Sequence, residues 1–453
     1  MLIPWSDARR GSDAAPASRL CGVVLLCAAA AALLVFPAGH AGAVGSAISS
    51  CPEIRVLIGE GASIEASVHA GSSLTDARGK VLLTLREEGV VVFGRSPDGL
   101  RAAVRGGATF ISEMFELGPG DRDGGWFRVG QARYRGRLRV IGGPYGVSAV
   151  NVLPLEEYLY GVVPCEMPPG WPAEALKAQA VAARSFALSC ALTAMAGGEP
   201  YDITSSTDGQ IYGGLDREDP RSNAAVDSTK GMVLTYSGQP IKAFYHSSSA
   251  GHTENSEFVW SSALPYLRGV TDPDDDSPYR SWEYRATRDQ MTEAFKAAGI
   301  DIGEFLGVTG TERGVSGRWS RLVVKGSRGE FPLRGTEFRR IVGLRSTLFD
   351  VAEEGGSAED VLSYRRVTGT WALCGDGAVR QVTAAHRDAE AAVLSSRSLP
   401  ATYCFRGGGN GHGVGLSQWG ARGLALLGHK YPAILQHYYL NTRLERYEWS
   451  PPL

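Results

Sequence analysis

Four short segments carry residue types that do chemistry. Glu166 stands in Val162-Val163-Pro164-Cys165-Glu166-Met167-Pro168-Pro169-Gly170-Trp171, among apolar and proline residues just ahead of an expected helix. A carboxyl partly withdrawn from water keeps its proton to higher pH, as a general acid must, whereas a helix N-terminus would favour its anion. Cys165 invites a thiol reading, but a nucleophilic thiolate needs a neighbouring His base and this segment has none. The second segment, 204–214, sets Asp208, Gln210 and Tyr212 among hydroxyls and glycines. That composition suits a loop bonding a polyhydroxylated ligand, and equally a solvated turn. The third, 244–253, holds His246, Ser248 and His252. This His pair lacks both helical i,i+4 spacing and a Cys partner for zinc, and no Gly-x-Ser-x-Gly elbow surrounds the serines. The fourth, 406–420, is glycine-rich around His412 and Gln418. It has neither Gly-Lys-Ser/Thr nor a suitably placed acid downstream, so it matches no phosphate or dinucleotide loop. It reads as backbone pressed against an extended ligand, with His412 displayed and Ser417 capping the next helix. Asp272-Pro273-Asp274-Asp275-Asp276 reads as an exposed acidic loop rather than a calcium site.

The elements that must position these residues are legible in outline. Residues 53–150 hold short β-branched runs, 54–58, 81–85, 89–93 and 138–141, separated by Gly, Asp and Ser. A short helix is expected over 153–159. A long one is expected over 172–195, where Leu176, Ala180, Ala183, Ala187, Cys190 and Ala191 form one face of mostly small residues. Strands are expected at 232–236 and 241–245. A mixed stretch at 285–405 reads as helix (288–298), strand (321–325), helix (336–342) and strand (367–373). Two helices follow, from about 417 to 427 and from 432 to 439. The fold class is α+β.

The chain has 453 residues, 46 Lys+Arg against 48 Asp+Glu, and 43% hydrophobic residues. That excludes wholesale disorder, and the near-neutral balance argues against nucleic acid as partner. The 58 glycines follow no collagen period and imply many tight turns. Arg9, Arg10 and Arg19 precede an apolar run over 20–36 and then Ala41-Gly42-Ala43. This reads as an export signal cleaved after Ala43, or as a retained N-terminal membrane anchor. The expected compartment is periplasmic, wall-associated or extracellular. Beyond the leader remain Cys51, Cys165, Cys190, Cys374 and Cys404, an odd set in which Cys374 and Cys404 are the best-placed pair.

The motifs also occur in a recognisable order. They comprise Asn151–Val163, Glu166-Met167-Pro168, Glu174–Ser185, Asp208-Gly209-Gln210-Ile211-Tyr212-Gly213-Gly214, His246–Asn255, Val259-Trp260, Pro265-Tyr266-Leu267, Gly314–Arg318, Leu344–Thr347 and Gly411–Ala421. Over about 53–445 the chain resembles the stage II sporulation protein D / amidase enhancer (SpoIID/LytB) family. The resemblance implies a β-rich region at 44–150 and a core at 151–445 that includes the inserted stretch 285–405, its Ala-rich helix beside a catalytic groove. It implies a peptidoglycan lytic transglycosylase that cuts MurNAc–GlcNAc bonds of peptide-stripped glycan strands and leaves 1,6-anhydro ends. Glu166 would be the catalytic residue, with Lys177, Arg184, Asp208, Gln210, Tyr212, His246, Ser248, His412 and Gln418 binding substrate. Ser185 stands where Thr is common, and Gly209 interrupts the usual Ser-Asp-Gln. Some members hold zinc through His and Cys; here Glu257 and Phe258 supply no Cys. No cofactor is therefore expected, and His246 and His252 are only weak metal candidates. The alternative is a non-catalytic glycan binder that stimulates a partner N-acetylmuramoyl-L-alanine amidase. A third reading is a hydrolytic muramidase with Asp208 as second carboxylate.

Overall fold

The alternating runs of the N-terminal region build two sheets in the computed structural model, which describes residues 52–118, 125–354, 371–373, 379–381 and 402–448. The first sheet has the order Ile203–Thr204, Glu53–Gly61, Gly146–Pro154, Arg137–Gly143, Phe115–Gly118, Ser73–Asp76, Val81–Thr84. The second runs Ala132–Tyr134, Phe127–Val129, Ser63–Val68, Gly89–Ser96, Gly99–Val104, Thr109–Ser112. Val56, Leu74 and Phe115 of the first sheet and Ala66, Val91 and Phe93 of the second are buried in one core. Gly146–Pro154 is buried at seven consecutive positions, Val147–Leu153, so it is covered on both faces.

That buried strand runs directly into helix α1 (Leu155–Glu166). Pro164 falls in the last turn of α1, where a missing N–H weakens only the helix end, and the helix stops two residues later. Helix α2 (Ala173–Gly197) follows, ended by Gly198 in the left-handed region at φ 68°. The expected small-residue face is only part of its burial. From Ala175 to Leu188 nearly every side chain is enclosed, Gln179, Arg184 and Ser185 included. Around α2 pack α1, α3 (Pro220–Ser228), the strand Met232–Tyr236 and the two C-terminal helices. By length and hydropathy α2 could cross a bilayer, but 67% of its most apolar window is buried inside the protein, which marks a core helix.

Beyond α4 (Ser256–Trp260), the strand Trp282–Thr287 opens the mixed stretch, with α5 (Arg288–Ala297) and α6 (Gly335–Val342) inside it. These elements have their own core, in which Met291, Phe295, Leu322, Phe338, Tyr403 and Phe405 meet. Thr402–Gly407 pairs with both Trp282–Thr287 and Phe349–Glu354, so the stretch leaves and returns at neighbouring strands. Trp371–Leu373 pairs with Val379–Gln381. The rest of the expected strand 367–373, Cys374 and the 1–43 leader lie outside the described residues. Cys165, Cys190 and Cys404 are free thiols. Two helices follow, α7 (Gln418–Leu426), capped as expected by Ser417 Oγ accepting the Gly420 N–H at 3.2 Å, and α8 (Tyr431–Tyr438), and then the strand Arg443–Arg446, which pairs with Met232–Tyr236.

One expected strand is broken. Over 241–245 the backbone makes successive i→i+2 turn bonds, Ala243 N–H to Ile241 O and Phe244 N–H to Lys242 O, rather than a ladder. Those turns release Tyr245–His246 to pair in parallel with Leu416–Ser417. The new pairing joins two of the chemically rich segments.

Candidate active site

Glu166 is the last residue of α1, so it sits at the carbonyl end of that helix and not ahead of an N-terminus as its sequence context suggests. The helix end therefore disfavours the anion instead of favouring it. Burial raises the carboxyl pKa above its ordinary value, and hydrogen bonds from Ile211, Gln418 and Tyr245 oppose the rise. Ile211 N–H donates to Oε1 at 3.1 Å and Gln418 Nε2 to Oε2 at 3.3 Å, while the Tyr245 hydroxyl supplies the third bond. Each donor comes from a different segment. Ile211 lies in the loop after Ile203–Thr204, Tyr245 on the short parallel pair, and Gln418 at the start of α7.

A buried polar chain orients Tyr245. Tyr158 OH donates to Gln210 Oε1 at 3.1 Å, and Gln210 Nε2 donates to Ala183 O at 3.2 Å and to Tyr245 OH at 3.1 Å. The Ala183 carbonyl only accepts, which fixes the amide orientation and leaves the Tyr245 proton for Glu166. Burial holds the Tyr245 phenol well above its usual pKa, so it remains a donor. Trp419, next in sequence to Gln418, meets Trp171 edge to face with centroids 4.8 Å apart, and Arg422 lies 5.4 Å over Trp419.

The structure brings only some of the sequence-expected residues to this point. Gln418 touches Glu166, and Gln210 acts on it through Tyr245. Lys177 is half-buried and paired with Glu174 at 2.9 Å. Asp208 is exposed, and its backbone N–H bonds Ser206 Oγ at 3.4 Å. Four of the expected ligand contacts are engaged within the protein, Arg184, Tyr212 and Ser248 buried and His412 half-buried. Arg184 is 1% exposed and bonded to Glu156 and to the carbonyls of Val226 and Met232. Tyr212 is enclosed, with its hydroxyl donating to Asn151 Oδ1 at 2.9 Å. Ser248 donates to Asp274 Oδ2 at 2.6 Å. His412 is not displayed: Nδ1 accepts the Val414 N–H at 3.1 Å, its other nitrogen bonds the Tyr245 backbone, and burial lowers its pKa to about 3.

His246 is buried with Nδ1 on the Val414 carbonyl at 3.2 Å, and its Nε2 has no hydrogen-bond partner. The two rings lie 5.4 Å apart. His252 points its Nδ1 at the Thr253 carbonyl, 2.7 Å away. Among the described residues no group of three or more His, Cys, Asp or Glu is placed to hold a metal ion.

The glycine-rich segment presses against its own protein. A Cβ on Gly413 would lie 2.6 Å from Arg318 Nε, and one on Gly415 would collide with the Phe244 carbonyl. The acidic loop is also largely internal. Asp272 accepts from Ser249 Oγ and Tyr438 OH at 2.5 Å each, and Asp274 accepts from Ser248 Oγ and the Ala250 N–H. Only Asp275 and Asp276 face solvent, paired with Arg280 and Arg422. Buried Arg318 donates to the carbonyls of Ser249 and His252, and buried Glu254 accepts from Val315 N–H and Ser316 Oγ. Segments 246–255 and 314–318 therefore clamp the mixed stretch to the core. Tyr245 and the Ile211 N–H were not singled out by residue type. Tyr245 stood next to His246 and Ile211 next to Gln210; the parallel pairing places the first beside Glu166, and the loop after Ile203–Thr204 brings the second there.

The family described as Stage II sporulation protein matches residues 145–236, the stretch that supplies α1, α2 and the Ile211 loop. The Bacillus subtilis (strain 168) Stage II sporulation protein D is 30% identical over 314 residues, 66% of this chain and 76% of that protein. The chain belongs to the stage II sporulation protein D family. The Stage II sporulation protein D of Bacillus amyloliquefaciens is 31% identical, over 64% of this chain and 74% of its own length. The Bacillus subtilis protein named Amidase enhancer is 30% identical over 300 residues, 64% of this chain but only 40% of that longer protein. In this family member the matched stretch contains Glu166, a carboxyl on which three donors from separate segments converge.

Proposed function

We propose that the chain is an exported peptidoglycan lytic transglycosylase with Glu166 as its single catalytic group. The observation that carries the reading is a carboxyl whose pKa burial raises, beside three donors able to stabilise the anion it becomes. The protonated carboxyl gives its proton to the oxygen linking N-acetylmuramic acid to N-acetylglucosamine, and the C1–O bond breaks. The resulting carboxylate takes the proton of the muramic C6 hydroxyl as O6 attacks C1. A 1,6-anhydro ring forms, no water is consumed and Glu166 ends protonated. Ile211 N–H, Gln418 and Tyr245 hold the carboxylate between the two transfers. Ordinary glycosidases place a second carboxylate opposite the first. Asp208, the former candidate for that role, is exposed and makes no bond to Glu166. The half-buried Trp171 and Trp419 offer aromatic faces to uncharged sugar rings.

The name Amidase enhancer, carried by one relative, favours a second reading in which the chain binds glycan and stimulates a partner amidase without cutting saccharide. Purified peptide-stripped strands, incubated with the chain alone, separate the two. The transglycosylase releases saccharides with anhydro ends. The enhancer releases none, and increases stem-peptide release only when an amidase and peptide-bearing wall are added.

A further inference from the structure

A cavity of about 490 Å³ opens between the hairpin Phe127–Val129/Ala132–Tyr134 and the loop Gly213–Arg217. Three guanidinium groups line it, Arg128, Arg133 and Arg217, against one carboxylate, Asp216. Arg133 and Asp216 satisfy each other, Nε to Oδ1 at 2.7 Å and Nη2 to Oδ1 at 2.6 Å. Arg128 lies 5.8 Å from the centre of the Trp126 ring and acts on Asp216 only at longer range, and neither it nor Arg217 makes a direct ion pair among the described residues. The cavity therefore holds two positive forks in excess, the geometry that takes a carboxylate in paired hydrogen bonds. Its volume is that of a sugar-sized site, well beyond a bare ion.

One wall of the cavity is also tied through the chain to the proposed catalytic group. Gly213 in its wall is two residues from Ile211, whose N–H bonds Glu166, and two extended residues span only ~7 Å. Gly213 also bonds the Cys165 thiol through its backbone, and Cys165 precedes Glu166. A Cβ on Gly213 would lie 2.9 Å from Cys165 Sγ and strike the Arg217 side chain, so this glycine lets the two meet.

We infer that this cavity binds the free lactyl carboxylate of an N-acetylmuramic acid residue and is the subsite that separates peptide-stripped from peptide-bearing strands. The inference rests on the glycan reading above. In a peptide-bearing strand the lactyl group ends in an uncharged, bulkier amide. Removal of the peptide exposes the carboxylate that Arg128 and Arg217 lack as a partner.

Calorimetric titration of the E166Q chain, in which cleavage is blocked, tests this with N-acetylmuramic acid, its lactyl methylamide and N-acetylglucosamine. The acid is expected to bind ~10-fold or more tightly than the other two, as charge-assisted bonds allow. The advantage shrinks with added salt and disappears in E166Q/R128Q/R217Q, whose urea midpoint stays that of E166Q. Equal binding of the three sugars, no binding of the acid in the millimolar range, or discrimination that survives R128Q/R217Q overturns the inference. So does glycerol phosphate binding more tightly than the acid, which would assign the cavity to a phosphate polymer. Because the readout is binding, discrimination without anhydro products removes the transglycosylase reading alone. Anhydro products without discrimination remove this inference alone.

Discussion

Replacing Arg184 distinguishes a groove residue from a structural one. Its guanidinium donates to Glu156 through Nε at 3.0 Å and Nη2 at 2.6 Å, and to the carbonyls of Met232 at 3.1 Å and Val226 at 3.3 Å. Arg184→Met removes all of these bonds and leaves the Glu156 carboxylate, whose side chain is 9% exposed, facing only the Gly231 N–H. Breaking a buried pair from one side costs ~3–5 kcal/mol. Against a whole-domain stability of about 5–15 kcal/mol, that is roughly a fifth or more. Urea unfolding should show the midpoint falling with an unchanged slope, and E156Q/R184M should recover part of the loss because no uncompensated charge remains. The sugar affinity of the fraction that stays folded should be unaltered. A variant of wild-type stability that binds glycan more weakly would refute the argument and return Arg184 to the groove.

Gln418→Leu removes a donor that favours the Glu166 anion, at ~1.5 kcal/mol for a bond to a charged group, about tenfold in protonated fraction at the alkaline side. The alkaline limb of kcat/KM should move to higher pH while kcat falls, and Tyr245→Phe should act in the same direction; a limb that stays or moves down contradicts the assignment. His412 should titrate by NMR near pH 3, not near 6.5. An unfolded chain then binds a proton between those values that the folded chain refuses, so stability falls as pH drops from 7 toward 4. His412→Gln should flatten that slope in urea midpoints, and an unchanged slope would count against a ring held neutral. Glu166→Gln should raise Tm at pH 7, because the folded protein no longer holds a carboxyl whose pKa burial raises; the gain should vanish at pH below the ordinary carboxylate range.

Local patterning revealed the elements better than it revealed the roles of polar residues. The strands of 53–150, α2 and the Ser417 cap follow from period, helix propensity and capping chemistry, all of which act over a few residues. Glu166 was found from its apolar neighbours, but its place at a helix end reversed because α1 extends through Pro164 to the carboxyl itself. Arg184, Tyr212, Ser248 and His412 carry the residue types of a binding groove, yet their partners Glu156, Asn151, Asp274 and the Tyr245 backbone lie on other segments. Nothing in local spacing distinguishes a polar residue facing ligand from one closing a core network. The same blindness made Asp272 and Asp274 read as solvated. Tyr245 was hidden for the opposite reason: the turns at 241–244 break the strand that would have placed it in another sheet.

The central claim is that Glu166 alone drives cleavage in which a muramic hydroxyl, not water, attacks C1. Digestion of purified peptide-stripped glycan in heavy-oxygen water, followed by mass analysis of the released ends, tests it most directly. The account predicts 1,6-anhydro ends without label from the wild-type chain and no release from Glu166→Gln. Labelled reducing ends, or undiminished release by Glu166→Gln, would contradict it.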